Sequence, residues 1–432
     1  MRAGPRVSIL DRAMTTNTFP TESPRAGDAS QPPGSKRALG LATLAFATCF
    51  VAWSLLGPLS PDLQDSMGLT DVQTAVMVAI PVLLGSLLRV PLGVLTDHYG
   101  ARRMFTVLIA ASVPAVVALA LWHTSYAVVL VLGLWLGLAG ASFAVGVPFV
   151  TRWTPPTRRG FALGVYGVGM GGTVITALLA PRIADKWGLA APFWAAAAVL
   201  ALVGVIFAML AREPAPLKPE GRPRLLAPLA VFRGNPRAWG LTLFYFLSFG
   251  GFVALFLYLP KLLVGVHDLT KADAGARAAG FALFAVLARP IGGWLSDRIG
   301  AERVLRISFT LTAVLAMGLA AGYESMVPLT ILCLGIGIAF GIGTGAVFKL
   351  VALWFPQQVG AVTGVVGAAG GLGGFVPPLL LGVVKALTGG YALGFVLLGV
   401  VAIVALAVLI ALDPNRGRLF GGRRRPRAAA TG

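Results

Sequence analysis

LLRVPLGVLTDHYGARR, residues Leu87–Arg103, and LARPIGGWLSDRIGAER, residues Leu287–Arg303, are one pattern written twice at an offset of 200 residues. Leu87, Arg89, Gly93, Leu95, Asp97, Gly100, Ala101 and Arg103 recur as Leu287, Arg289, Gly293, Leu295, Asp297, Gly300, Ala301 and Arg303. Each copy closes a long apolar run, and each plants one arginine inside that run, eight residues before an aspartate. Eight helical residues rise about 12 Å, and a bilayer core is roughly 30 Å thick. With Asp97 and Asp297 at the lipid boundary, Arg89 and Arg289 fall near the midplane. An arginine there costs at least about 2.5–3.5 kcal/mol, so each is expected to face a cavity or a partner rather than lipid. Two such arginines, related by an internal repeat, point to one shared anion site between two halves.

The bulk composition supports a membrane reading. The chain has 432 residues, 57% hydrophobic and only 12% charged, against roughly 25% charged for a soluble domain. Twelve apolar runs are long enough to cross a bilayer. They cover 38–60, 75–96, 104–122, 126–150, 160–181 and 191–211, then 238–259, 277–296, 304–322, 327–353, 360–385 (partly loop) and 391–412. The expected organisation is a disordered cytoplasmic tail (1–37), a six-helix bundle (38–211), a basic Pro-rich linker (212–237), a second six-helix bundle (238–412) and a basic tail (413–432). No apolar segment precedes residue 38, so no cleavable signal peptide is expected.

A net charge of +19 would suit nucleic acid, but its placement argues for topology instead. With the N-terminus cytoplasmic, 26 of the 35 Lys and Arg lie inside. Arg182, Lys186, Lys261, Lys271, Arg277 and Lys385 fall in outer loops, and Arg89, Arg289 and Lys349 within spans. That asymmetry is the positive-inside rule. It implies both termini in the cytoplasm, the lipid bilayer as a partner and no nucleic acid. Cys49 and Cys333 lie in different runs and form no metal pattern, and no cofactor is expected. No loop carries a nucleophile–base pair, metal cluster or nucleotide motif, which argues against an enzyme.

All sixteen acidic residues fall outside mid-depth, as do His98, His123 and His267, which read as loop residues. A buried ion pair is the bland alternative for each arginine, and no carboxylate is placed to supply it. Lys349, five residues before Trp354, reads as a snorkelling lysine, with an electrostatic guide on the inner exit path as the alternative. Gly160, Gly164, Gly167 and Gly171 return at 360, 364, 367 and 371. This spacing lines one helix face, for close helix packing and for a smooth wall beside the substrate path.

Six spans, a basic central loop and six more spans resemble the major facilitator superfamily. The loops from Gly93 through Asp97 and Gly100 to Arg103, and from Gly293 through Asp297 and Gly300 to Arg303, look like its cytoplasmic loop motif. A finer resemblance is to the nitrate/nitrite porter family. It is carried by GIGTGAVFKLVALWFPQQVGAVTGVVGAAGGLGGFVPPLLLG (Gly341–Gly382), by FAVGVPFVTRW with GFALGVYGVGMGGT (143–173) and by IPVLLGSLLRVPLG around Arg89. The resemblance implies an all-α membrane protein of twelve helices in two pseudo-symmetric six-helix bundles. It implies that Arg89 and Arg289 clamp a planar anion, nitrate or nitrite, with Tyr245, Phe249 and Phe143 as aromatic walls and Met170, Gly167, Gly367 and Gly371 lining the site. Met170 stands where the family usually has asparagine, and Thr344 where close relatives often do; methionine cannot donate a hydrogen bond.

Guanidinium presents paired donors that fit two oxygens of a flat anion, which a lysine does not. The expected function is therefore an inner-membrane nitrate and nitrite transporter of nitrate assimilation, working by alternating access as a monomer. No intramembrane Asp, Glu or His relay is visible, so nitrate/nitrite exchange is expected over proton symport. The alternatives are a porter for formate or cyanate and an anion sensor that does not transport.

Overall fold

The computed structural model describes residues 32–214, 225, 230–388 and 390–413, and all of its regular elements are helical. In chain order they are α1 (Ser35–Trp53), α2 (Ser60–Met67), α3 (Asp71–Tyr99), α4 (Ala101–Trp122), α5 (Tyr126–Gly140), α6 (Ser142–Trp153), α7 (Arg159–Val168), α8 (Gly172–Trp187) and α9 (Ala191–Leu210). Then follow α10 (Pro236–Tyr245), α11 (Gly251–His267), α12 (Lys271–Ile299), α13 (Ala301–Gly322), α14 (Met326–Trp354), α15 (Val359–Thr388) and α16 (Ala392–Leu412). In lipid only a helix satisfies its own backbone within one segment, so apolar composition at this length dictates helix.

Among the described residues, eleven helical stretches are long and apolar enough to cross a membrane. Three of them are composite: α5 with α6, α7 with α8, and α10 with α11. The 30-residue α15 supplies the twelfth span; its apolar part is described over Val359–Gly374. The fold is thus the all-α membrane class expected. Most of the 1–37 tail, much of the 212–237 linker and nearly all of the 413–432 tail lie outside the described residues.

The repeat governs helix ends as well as the arginines. Thr70 caps α3, its hydroxyl accepting from Gln73 N while the Gln73 side chain accepts from Thr70 N. Thr270 caps α12 by accepting from Asp273 N. Both helices stop at a glycine with positive φ, 93° at Gly100 and 92° at Gly300, a backbone region that favours glycine. Thr70 and Thr270, like Gly100 and Gly300, are 200 residues apart.

Several expected loops are helix instead. Lys271 and Arg277 belong to α12, Arg182 and Lys186 to α8, Lys261 to α11 and Lys385 to α15. The 360–385 run is continuous helix, not partly loop. His98 and His267 are the last-turn histidines of α3 and α11, and Asp62 and Asp65 sit on α2. Backbone hydrogen bonding carries a helix past its apolar stretch to the next capping residue, so hydropathy marks the lipid and not the helix end.

The glycine face packs helix on helix. A Cβ at Gly164 of α7 would meet the carbonyl oxygen of Arg289 on α12 at 2.5 Å, and one at Gly364 of α15 would lie closer still to that of Arg89 on α3. Gly93 opposes Gly360, and Gly293 opposes Gly160, backbone against backbone. Small residues allow this approach where the hydrophobic effect gives little help. Gly364→Ala is therefore expected to destabilise the protein by about 1–3 kcal/mol, the cost of overpacking. Thermal unfolding of detergent-purified protein measures it, and an unchanged midpoint would disprove the close contact.

Candidate functional site

Arg89 and Arg289 are both 3% exposed and sit two-thirds of the way along α3 and α12. Arg89 Nη1 donates to Gly367 O at 2.7 Å, and Arg289 Nη1 donates to Gly167 O at 3.1 Å. The two bonds are the same bond in the two copies of the repeat, each arginine reaching a glycine of the opposite half. Glycine at these positions leaves room for the side chain: a Cβ would come 3.1 Å from Arg89 Cδ at position 367 and 3.2 Å from Arg289 Cδ at position 167. Beyond this point the halves differ. Arg89 Nε and Nη2 both donate to Gly140 O, at 3.3 and 3.2 Å. Arg289 Nη2 faces Met170 Sδ at 3.2 Å, and its Nε has no hydrogen-bond partner. Among the described residues neither arginine forms an ion pair.

Helix geometry breaks at the site in three places. Between α5 and α6 the amide of Ala144 donates to Ala141 O rather than back to Gly140 O, the oxygen that accepts from Arg89. Between α7 and α8, Gly169–Gly171 tightens into a 3-10 turn that carries Met170. Between α10 and α11, Phe246–Gly250 widens into a π turn that carries Phe249. Such interruptions are tolerated at membrane depth where they line a buried site, and π turns in particular mark functional positions.

Four rings stack across the two halves. Tyr166 lies 5.7 Å from Phe143, Phe143 6.2 Å from Tyr245, and Tyr245 5.0 Å from Phe249, with interplanar angles of 26°, 10° and 1°. Phe348 meets Phe143 and Tyr245 edge-on at 4.6 and 4.7 Å, and Phe46 extends the stack beyond Tyr166 at 4.8 Å. Both guanidinium carbons lie 5.8 Å from the centroid of Phe249. The attraction of a buried cation for a ring face is worth about 2 kcal/mol when desolvated, so Phe249 offsets part of the cost of placing two cations nearby. The arrangement is two cations, apolar walls and fixed peptide oxygens, which suits reversible binding of a small flat anion.

Of the residues expected in the site, Arg89, Arg289, Tyr245, Phe249, Phe143, Met170, Gly167 and Gly367 come together here. Gly371 does not join them: a Cβ there would meet the Ser86 side chain, and it is Gly370 that lies against the Tyr245 ring. Thr344 donates its hydroxyl back to Phe340 O at 2.7 Å. Tyr166, Phe348, Phe46 and the Gly140 carbonyl were not anticipated. Phe46 and Cys49 stand 200 residues before Phe246 and Phe249, so extending the repeat to Tyr245 and Phe249 would have drawn attention to that part of α1.

The loop motif ties the two halves together at one end. Asp97 accepts from Gly360 N and Ala361 N of α15 at 3.1 and 2.9 Å, and Asp297 accepts from Gly160 N and Phe161 N of α7 at 2.9 and 2.7 Å. Each aspartate thus meets the positive N-terminal end of a helix in the other half. Arg103 and Arg303 are exposed. Lys349 is not a snorkelling lysine. It is 7% exposed and donates to Asp297 Oδ1 and Ser296 O, each at 2.7 Å. Its carboxylate partner lies 52 residues earlier in the chain, on α12.

Comparison with known proteins agrees with this architecture. Residues 42–278 and 263–431 match the Major Facilitator Superfamily. The chain is 41% identical over 376 residues to the probable nitrate/nitrite transporter NarK2 of Mycobacterium tuberculosis, covering 86% of this chain and 95% of that protein. It is 37% identical to the nitrite extrusion protein of Bacillus subtilis, covering 86% and 93%, and 34% identical to the probable nitrate transporter NarT of Staphylococcus epidermidis, covering 87% and 96%. Among solved structures, the human organic anion transporter MFSD10 superposes with a TM-score of 0.75 at 20% identity, covering 88% of this chain and 100% of that one. The proton:xylose symporter XylE superposes with 0.75 at 13% identity, covering 89% and 97%.

Proposed function

The chain belongs to the Major Facilitator Superfamily and, within it, to the family of nitrate/nitrite transporters, and from this we propose that it carries nitrate and nitrite across the cell's inner membrane by alternating access. The observation that carries the reading is the pair of buried arginines beside one aromatic ring, with no carboxylate paired to either among the described residues. A guanidinium pair that lacks a protein counter-ion favours an anion between its members. Helices α3 and α15, and α7 and α12, supply the surfaces on which one half rocks against the other. The Asp97 and Asp297 end is the cytoplasmic one, following the basic residues around it. One chain supplies both arginines, so the working unit is the monomer.

The transport mode is nitrate/nitrite exchange. Two positive charges near the membrane centre make the unloaded site costly to reorient, and the described spans offer no acidic or histidine relay at arginine depth to compensate. Proteoliposomes test this. Labelled nitrate is expected to enter vesicles loaded with nitrite at least tenfold faster than vesicles holding no permeant anion. Equally rapid uptake into anion-free vesicles under a pH gradient would establish proton symport instead.

A further inference from the structure

We propose that the Nε/Nη2 edge of Arg289, roofed by the Met170 thioether, is the primary seat of the anion, and that Met170 biases this seat toward weakly hydrated oxyanions. This rests on the anion-transport reading above and refines it. The two arginines are equivalent in sequence and unequal in bonding. On Arg89 the two parallel donors of the Nε/Nη2 edge are both engaged by Gly140 O, an oxygen released by the break between α5 and α6. On Arg289 the corresponding edge has one donor without a partner and the other against sulfur. Thioether sulfur is a weak acceptor, whereas a peptide carbonyl is a strong one. An anion can therefore take both donors of Arg289 without displacing a good hydrogen bond, and cannot do so at Arg89.

Geometry keeps that edge presented. Nη1 of Arg289 is anchored on Gly167 O, which fixes the plane of the guanidinium. Met170 is 4% exposed, and its turn is wedged against α1: a Cβ at Gly169 would meet the Phe46 ring at 2.5 Å, and Gly172 lies on the backbone of Ala47. A side chain on so confined a turn stays over the arginine. A buried, unpaired Nε–H is a costly group to leave unsatisfied, so it marks a place built for an acceptor.

Met170 then acts through what it lacks. An anion on the Arg289 fork turns its remaining surface toward a group with no N–H or O–H to offer. Hydration lost there is not replaced, and the penalty grows with the charge carried by each oxygen. Nitrate and chlorate spread one charge over three oxygens; nitrite and formate concentrate it on two. The expected order of affinity is nitrate and chlorate first, nitrite at least tenfold weaker, formate last. Met170 is a specificity-determining residue in this account, and Arg89 chiefly supplies charge and ties the two halves together.

The test is calorimetric binding of nitrate, chlorate, nitrite and formate to the purified full-length protein and four variants. Met170→Gln adds a donor and is expected to raise nitrite affinity, narrowing the nitrate-to-nitrite ratio at least fivefold. Met170→Leu removes the sulfur and adds no donor, and is expected to keep the parental order. Arg289→Lys is expected to weaken nitrate at least tenfold more than Arg89→Lys does. A ratio in Met170→Gln within twofold of the parent, or equal losses in the two lysine variants, overturns the proposal while leaving anion transport standing. Failure of the parent to bind any of the four anions overturns both. The lysine comparison stands by itself if the glutamine variant does not fold.

Discussion

Arg289→Leu is expected to leave a folded protein that binds nitrate about 30-fold to several thousandfold more weakly, because truncating one member of a buried, hydrogen-bonded charge pair costs about 2–5 kcal/mol. Leucine keeps some of the volume and none of the donors, so Gly167 O loses the bond it accepts and Phe249 keeps one cation beside it instead of two. Calorimetry on purified protein reads the affinity, and labelled nitrate uptake into proteoliposomes reads the consequence. Thermal unfolding separates a binding defect from a folding defect. Nitrate affinity within threefold of the parent would mean that the guanidinium is structural and that the anion sits elsewhere.

Asp297→Asn should be the most damaging single change at the end where the two aspartates join the halves. The Asp297 and Lys349 side chains are only 9% and 8% exposed, with Nζ to Oδ1 at 2.7 Å. Removing one partner of such a pair leaves a buried charge uncompensated, at a cost of about 3–5 kcal/mol. Adding Lys349→Met to Asp297→Asn removes the stranded ammonium and should restore at least half of the loss. Asp97 provides the internal control. Its basic neighbour, Arg152, is 3.9 Å away, and the two side chains are 23% and 26% exposed. Asp97→Asn should therefore cost on the order of 1 kcal/mol. Chemical unfolding measures all four proteins. Equal losses at positions 97 and 297 would remove Lys349 from the account.

These two cases show what a sequence reader could and could not see. The 200-residue repeat was visible because both arginines, both aspartates and both end glycines are side-chain facts that survive alignment of the chain with itself. The glycine face was visible because its spacing is that of a helix. The pairing of Lys349 is hidden in the sequence because its partner is distant along the chain and comes near only when α14 packs on α12. The Gly140 carbonyl was invisible for a different reason. Backbone oxygens acquire a role only where helical bonding fails, and nothing in LAGASF announces a break at Ala141. The stack from Phe46 through Tyr166, Phe143 and Tyr245 to Phe249 draws on α1, α6, α7, α10 and the π turn, so no single window of sequence contains it.

The wide turn at Phe246–Gly250 stores a spare residue in the chain. A segment that closes its ring one residue late holds one residue more than a regular helix needs. Deleting a single amino acid between these bounds would let the backbone relax into ordinary spirals, a local gain. Everything beyond would keep its facing, because the wide turn already absorbs the extra residue and about four residues at ordinary pitch turn as far as the five now do. Phe252 and Tyr258, now buried, would stay on the inner face. What the spare residue supplies is local, the place of the Phe249 ring beside both guanidinium groups, and a shortened form would be a well-formed helix that has lost it.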